Sequence, residues 1–452
     1  MPAPVFENAE RSQMIPSYVS EILRRLDDAG YEGWLVGGCV RDMLMGRSPG
    51  DWDVASNALP PQLRELFGGA VYENGGERHG TVAVNAGGSV VEITTYRVDG
   101  QYIDHRRPQS VRYVSSLIDD LARRDLTVNA MAYRPDKGII DPFGGQDDLR
   151  QGILRAVGDP QKRFGEDALR ILRAVRFCSQ LGFEPEKKTT EAMELCAPDL
   201  MYISGERIFS ELKRIIMGPN ALHALLRYGD VVAHAVPALA PSVGFDQQNH
   251  HHIYDVWEHS IRALASVGTD DMCLRLALLF HDTGKPASFT VDHKGEGHFY
   301  GHAMLSAEIT RDALTRLKCD RHTLEEVTWL VHMHDMTVTP DMACLAKLIV
   351  RYGAERVKRL LIIKIADNSA QSPRYGQRGK DAAWLLERLR EIEREGRCLS
   401  IAELAVDGGD MIEAGLKGRA VGDMLERLLY AVLTGACENS RDSLMAWVYK
   451  NR

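Results

Sequence analysis

Short apolar or alternating runs, each flanked by Gly, Pro or Asn, mark the first third of the chain: GWLV, DWDVAS, TVAVN and VVEITTY. That texture predicts strands. Between them a helical pattern runs from Ile15 to Ala29 and stops at Gly30, and another runs from Pro60 to Leu66 and stops at Gly68 and Gly69. Strands mixed with helices predict an α+β domain over residues 15–150. Residues 151–245 turn helical. EDALRILRAVRFCSQLG places Leu169, Leu172, Val175 and Phe177 near a 3.6-residue period and stops at Gly182, and GERIFSELKRIIMG repeats the form as far as Gly218. Residues 246–370 form a second helical region that is rich in histidine. Residues 371–452 predict a charged, amphipathic helical tail.

Composition narrows the class. Of 452 residues, 44% are apolar and 26% charged, which suits a soluble globular chain and excludes collagen-like, disordered or membrane-spanning ones. No run approaches the roughly 18 apolar residues of a membrane helix. The segment MPAPVFENAERSQ lacks a basic stretch followed by an apolar core, so no signal peptide is expected. Eight cysteines without a CxxC pair argue against a zinc cage or a disulfide framework and for a reducing, cytoplasmic setting. The net charge of -8 means that any nucleic-acid site must be a local basic patch.

The most informative stretch is LVGGCVRDMLMGRSPGDWDVAS. A strand runs into Gly37 and Gly38 where a helix begins, so the backbone can bend sharply and bring N–H groups close to an anion. Arg41, in the first helical turn, could reach a phosphate. On a strand, residues two apart share a face, so Asp51 and Asp53 would present two carboxylates together with Trp52 turned away. Like charges held so close call for a cation between them. Hard oxygen ligands suit Mg²⁺, which also takes substrate phosphates. Glu92, in VVEITTY, either approaches the same metal or faces solvent from a neighbouring strand.

GGCVRD followed by DWD resembles the signature of the polymerase-β-like nucleotidyltransferases, and more narrowly of the bacterial-type (class II) tRNA nucleotidyltransferases, the CCA-adding enzymes. The segments ERHGTVAV, YRVDGQYIDHRRPQSV, LARRDLTVNAMAY, DPFGGQDDL, EDALRILRAVRF and GERIFSELKRI follow in the family's order, so the resemblance covers roughly residues 15 to 235. It implies a head domain with a mixed sheet, a helical neck at 151–245, and a reaction that adds C, C and A to the 3′ end of tRNA from CTP and ATP with two Mg²⁺ ions. Arg123 and Arg124 could hold triphosphate oxygens through their planar forks. By the resemblance, Arg124 and Asp125 lie near the ribose and Asn129 supports them. Arg173 and Arg176 are further phosphate candidates. Asp141, Gly144 and Gly145 form a bend that is flexible in the family.

The resemblance also makes EDxxR an amino-acid template. Asp167 and Arg170, i and i+3 on the expected helix, would share a face. A carboxylate only accepts and a guanidinium only donates. Cytosine and adenine offer an amino donor beside a ring-nitrogen acceptor, so the pair admits them. Guanine and uracil present the reverse order and are refused.

QNHHHIYDVWEHSIRAL, LALLFHDTGKP, FYGHAMLSAE, LVHMHD and IKIADNSAQ resemble the HD phosphohydrolase superfamily. This implies metal ligation by His259, His281, Asp282 and Asp367, with His302 and His334 nearby. Imidazole and carboxylate together suit Mn, Ni, Fe or Mg. The domain either hydrolyses phosphoesters or serves as helical scaffold for tRNA. Arg374, Arg378 and Lys380 either touch tRNA phosphates or lie on a solvated face. Alternative readings are a poly(A) polymerase, an enzyme that adds only CC or only A, or chiefly an HD-type phosphohydrolase.

Overall fold

Gly33–Val36 is buried at every position, and it becomes an interior strand of a sheet because four consecutive buried residues leave no face for water. In the computed structural model, residues 12–72, 80–100, 111–249, 253–372 and 376–452 are described. The expectations for His250 to His252, for Arg374 and for QYIDHRRPQS fall outside them.

The chain divides into two compact units, Met1–Ala235 and Val236–Arg452. In the first, the strands are β1 (Gly33–Val36), β2 (Asp53–Ser56), β3 (Val71–Tyr72), β4 (Thr81–Ala86), β5 (Ser89–Thr95), β6 (Arg97–Asp99), β7 (Val111–Tyr113), β8 (Ala132–Arg134) and β9 (Gly138–Ile140). Seven of them form one mixed sheet in the order β3-β4-β5-β2-β1-β8-β9. β1 is antiparallel to both β2 and β8, whereas β2 and β5 run parallel. One face packs Trp34, Val36, Ala55, Tyr96, Leu117, Leu121 and Ala132 into a core.

The helices of this unit begin with α1 (Ser17–Asp28), α2 (Gly38–Leu44), α3 (Pro60–Phe67) and α4 (Leu117–Ala122), and continue with α5 (Gly145–Gln151), α6 (Pro160–Glu166), α7 (Leu169–Leu181), α8 (Lys187–Cys196) and α9 (Gly205–Ile216). α1 and α3 agree with the expected helices to within a residue or two at each end. The helix expected from Glu166 starts later. Asp167 is extended, at φ -141 and ψ 102, between α6 and α7, because its carboxylate accepts the Leu169 N–H at 3.2 Å. An Asp that caps backbone in this way competes with continuous helix.

The second unit is helical. Its elements include α10 (Val256–Ser266), α11 (Met272–Phe280), α12 (His302–Arg316), α13 (Arg321–Met333), α14 (Met342–Tyr352), α15 (Ala354–Ser369) and α16 (Gln377–Arg394). Asp255, Asp271, Asp320 and Asp341 each cap a helix start by accepting backbone N–H groups. Leu345, Val357, Leu361, Leu385, Leu389 and Leu428 sit in one apolar core. No helix among the described residues is long and apolar enough to cross a membrane.

Candidate active site and candidate metal centre

In the first unit a cavity of about 800 Å³ collects residues from six separate sequence segments. The glycine turn forms one wall. Gly37 has φ +76, and a Cβ there would lie 2.8 Å from Arg124 Nη1 and 3.8 Å from Asp53 Oδ2. The turn is therefore a close approach that a side chain would fill. Gly38 opens α2, which carries Arg41.

The carboxylates lie on the sheet. β2 begins at Asp53, so Asp51 stands in the bend before the strand and is exposed. This corrects the expectation that both aspartates occupy strand positions; the Pro-Gly before them delays the start of pairing. Trp52 is buried, as its opposite orientation requires. Glu92 is the cross-strand partner of Asp53, and Asp51, Asp53 and Glu92 all line the cavity. Burial raises the Asp53 pKa, and the Glu92 and Asp51 charges push the same way against Arg124 and Arg173. Carboxylates that resist joint ionisation fit a hard divalent cation.

Nine arginines and five carboxylates line this cavity. It is therefore the local basic patch that a chain of negative net charge needs in order to hold a polyphosphate. Asp120, fully buried, accepts from Arg123 Nη2 at 2.8 Å and Nε at 3.0 Å, and from Arg124 Nη2 at 3.5 Å. Among the described residues, Arg124 Nε is buried without a hydrogen-bond partner, and a buried donor of this kind suits an anionic oxygen. Asp125 Oδ2 accepts from Arg173 Nε at 2.6 Å, and its Oδ1 accepts from Asn129 Nδ2 at 3.3 Å. Asn129 Oδ1 in turn accepts from Arg41 Nη1 at 2.8 Å. Burial opposes ionisation of Asp125, but Arg173 and the Leu126 N–H outweigh it and hold the carboxyl well below the usual range. Arg176 also lines the cavity, but its guanidinium pairs with buried Glu211 at 3.2 Å and covers the Phe177 ring, and burial pulls its pKa down to about 10.

Asp167 and Arg170 both line the cavity, but not as neighbours on one helix. Asp167 lies in the helix break and takes both Nη groups of Arg207, at 3.2 and 2.7 Å. Arg170 is anchored by Glu166 at 2.6 Å and by the Arg163 and Arg123 carbonyls. The sequence reading missed Arg97, Arg207, Arg214 and Glu166. Glu166 directly precedes Asp167, and Arg207 sits in the matched segment GERIFSELKRI, so both were within reach. The Asp141 bend is packed rather than open. Its carboxylate accepts the Gly145 and Gln146 N–H groups at 2.7 and 2.8 Å, and a Cβ on Gly145 would meet the Thr127 carbonyl oxygen at 2.3 Å.

The second unit holds a buried histidine–aspartate centre. His281 caps α11 at its C-terminus, and Asp282 follows. His259, His281, His302 and His334 each direct Nδ1 to a backbone carbonyl, of Ala370, Leu278, Phe299 and Val331. That fixes the tautomer and turns every Nε2 inward. His259 and His281 Nε2 face each other at 3.3 Å, as do those of His302 and His334 at 3.2 Å. Asp282 Oδ2 lies 3.2 Å from His281 and 3.4 Å from His259, while Oδ1 lies 3.5 Å from His302 and 3.6 Å from His334. Asp367 reaches His259 Nε2 at 2.9 Å. Opposed nitrogen lone pairs need a positive charge between them. Burial works against protonation of His281, yet Asp282 and Asp367 push its pKa up to about 10, so the cluster favours positive charge at its centre. Among the described residues, His259–His281–Asp282 and Asp282–His302–His334 are the triads whose ligand atoms converge within 4.8 Å. A cavity of about 310 Å³ opens beside them. Arg378 lines it and pairs with Asp335 at 3.4 Å.

A mixed sheet that carries carboxylates beside a glycine turn, followed in the chain by a histidine–aspartate helical region, defines a nucleotidyltransferase with an HD domain. Residues 33–155 match the profile described as Poly A polymerase head domain, 182–241 that of a probable RNA- and SrmB-binding site of polymerase A, and 249–371 the HD domain. The CCA-adding enzyme of Leuconostoc mesenteroides is 32% identical over 429 residues, covering 94% of this chain and 93% of that one. The CCA-adding enzyme of Geobacillus stearothermophilus is 33% identical over 433 residues, covering 94% and 95%. The structure of Bacillus stearothermophilus CCA-adding enzyme in complex with CTP superimposes with a TM-score of 0.71 at 31% identity, covering 96% of each chain. The chain belongs to the CCA-adding enzyme family and is a tRNA nucleotidyltransferase.

Proposed function

We propose that the cavity of the first unit adds C, C and A in turn to the 3′ end of tRNA from CTP and ATP, without a nucleic-acid template. The observation that carries this reading is that Asp53, Glu92, Arg124, Asp167 and Arg170 line one cavity. Asp51 and Asp53, with Glu92 beside them, hold Mg²⁺; when bound, it neutralises charge on the entering and leaving oxygens. The tRNA 3′-hydroxyl gives up its proton to solvent as its oxygen bonds to the α-phosphorus, the bond from that phosphorus to the bridging oxygen breaks, and pyrophosphate leaves. Arg123 and Arg124 bind the triphosphate, and Arg41 and Gly37 shape its seat. Asp125, Asn129 and Arg173 form the ribose side. Asp167 accepts from the base amino group and Arg170 donates to the ring nitrogen.

The divisions at 15–150, 151–245, 246–370 and 371–452 describe the head, neck, HD domain and tail. His259, His281, Asp282 and Asp367 hold a divalent ion, with Mn, Ni, Fe or Mg matching the donor set. The opposed imidazoles support a metal-dependent phosphohydrolase as a second activity, and the protein works in the cytoplasm. The test is incubation with a tRNA lacking its 3′ end and each labelled nucleoside triphosphate in turn. Incorporation of C, then C, then A is expected. Products ending after CC, or a lone A, would assign a partial enzyme; long A tails would assign a poly(A) polymerase.

A further inference from the structure

We infer that Arg207 is a positioning residue that sets nucleotide choice by aiming the Asp167 carboxylate. The inference rests on the template reading above. Asp167 has no helix to hold it, since its backbone is extended between α6 and α7. Its side chain is fixed instead from α9, where the Arg207 fork takes both oxygens, Nη1 to Oδ1 at 3.2 Å and Nη2 to Oδ2 at 2.7 Å. Arg207 occupies the first turn of α9, where a cation opposes the helix dipole, so its placement depends on the acid it meets.

The acceptor count gives this pairing a consequence. A carboxylate offers about four lone-pair positions. Oδ1 spends its two on Arg207 and on the Leu169 N–H at 3.2 Å. Oδ2 spends one on Arg207. One acceptor position remains, on Oδ2, and both residues line the nucleotide cavity. Arg170 is restricted in the same way. Both Nη1 protons go to Glu166 and the Arg163 carbonyl and one Nη2 proton goes to the Arg123 carbonyl, which leaves donors on Nε and Nη2. The pair therefore presents one acceptor and a donor edge at fixed places. That arrangement matches an amino group beside a ring nitrogen and opposes a carbonyl beside an N–H. Without the fork, the carboxylate can turn about its side-chain torsions, and its acceptor no longer has a set direction.

The test uses the full chain, Mg²⁺ and a tRNA transcript lacking CCA. kcat/KM is measured for CTP and for UTP with wild type, Arg207→Ala, Arg207→Lys, Asp167→Ala and the Arg207→Ala/Asp167→Ala double variant. The expected result is a fall of about tenfold or more in the CTP-over-UTP ratio for both Arg207 variants, mostly through a raised KM for CTP, with no further fall when Arg207→Ala is added to Asp167→Ala. Lysine keeps the charge and loses the fork, so it carries the test should the alanine variant not fold. If both Arg207 variants keep the ratio within about twofold while Asp167→Ala collapses it, the positioning role is wrong and the template reading stands. If Asp167→Ala itself keeps the ratio, the template reading fails and this inference goes with it.

Discussion

Asp53 and Glu92 are register partners on parallel neighbouring strands, so their side chains leave the sheet on the same face and meet one cavity. The exposed side of Glu92 therefore faces the cavity that Asp53 also lines, which favours the first of its two readings. Glu92→Gln is expected to slow single-turnover addition by on the order of tenfold or more, with tRNA affinity unchanged. An unaltered rate would return Glu92 to the role of a solvent-facing strand residue.

The glycine turn makes a second prediction. At φ +76, and with Arg124 Nη1 2.8 Å from the place of a Cβ, Gly37→Ala both strains the backbone and displaces the arginine. The strain costs about 1–3 kcal/mol. The expected readout is a KM for CTP and ATP raised together, with discrimination between them preserved. Steady-state kinetics with both nucleotides checks it.

The buried Asp125–Arg173 pair links stability to pH. The Asp125 carboxyl is held below its ordinary value, so its contribution is fully present above about pH 4, the unfolded value, and is lost as pH falls from there through the folded value. Asp125→Asn is expected to lower stability by about 2 kcal/mol at pH 7. The gap to wild type should narrow as pH drops below about 4. Thermal melts across pH check this, and a gap that widens in acid contradicts the sign.

His281→Ala is expected to remove the metal bound by the second unit and any phosphoesterase activity that depends on it, while CCA addition persists. Elemental analysis of the purified chain and paired activity assays read the two effects separately. Loss of both activities together would give His281 a structural role.

Much of this was legible in the sequence because the ligand types recur at short spacings. GGCVRD and DWD marked the glycine and carboxylate walls of the cavity, and the His-Asp series marked the second cluster through residues whose chemistry is hard to use elsewhere in a core. What stayed hidden was tertiary. Asp167 looked like a helical residue because its flanking sequence has helical period; its extended backbone comes from a capping bond and from Arg207, forty positions away. Arg176 lines the cavity from the helix it shares with Arg170, but its pairing with Glu211 on α9 could not be read from spacing. Spacing reports which residues share an element, and long-range ion pairs then decide where each side chain points.

The most direct test of the account is single-turnover CCA addition by Asp53→Ala at saturating Mg²⁺, with tRNA binding measured in parallel by fluorescence anisotropy. The expected result is a rate lower by on the order of a thousandfold or more at wild-type tRNA affinity. A rate near that of wild type would contradict the assignment of the sheet carboxylates as the metal-holding centre of nucleotidyl transfer.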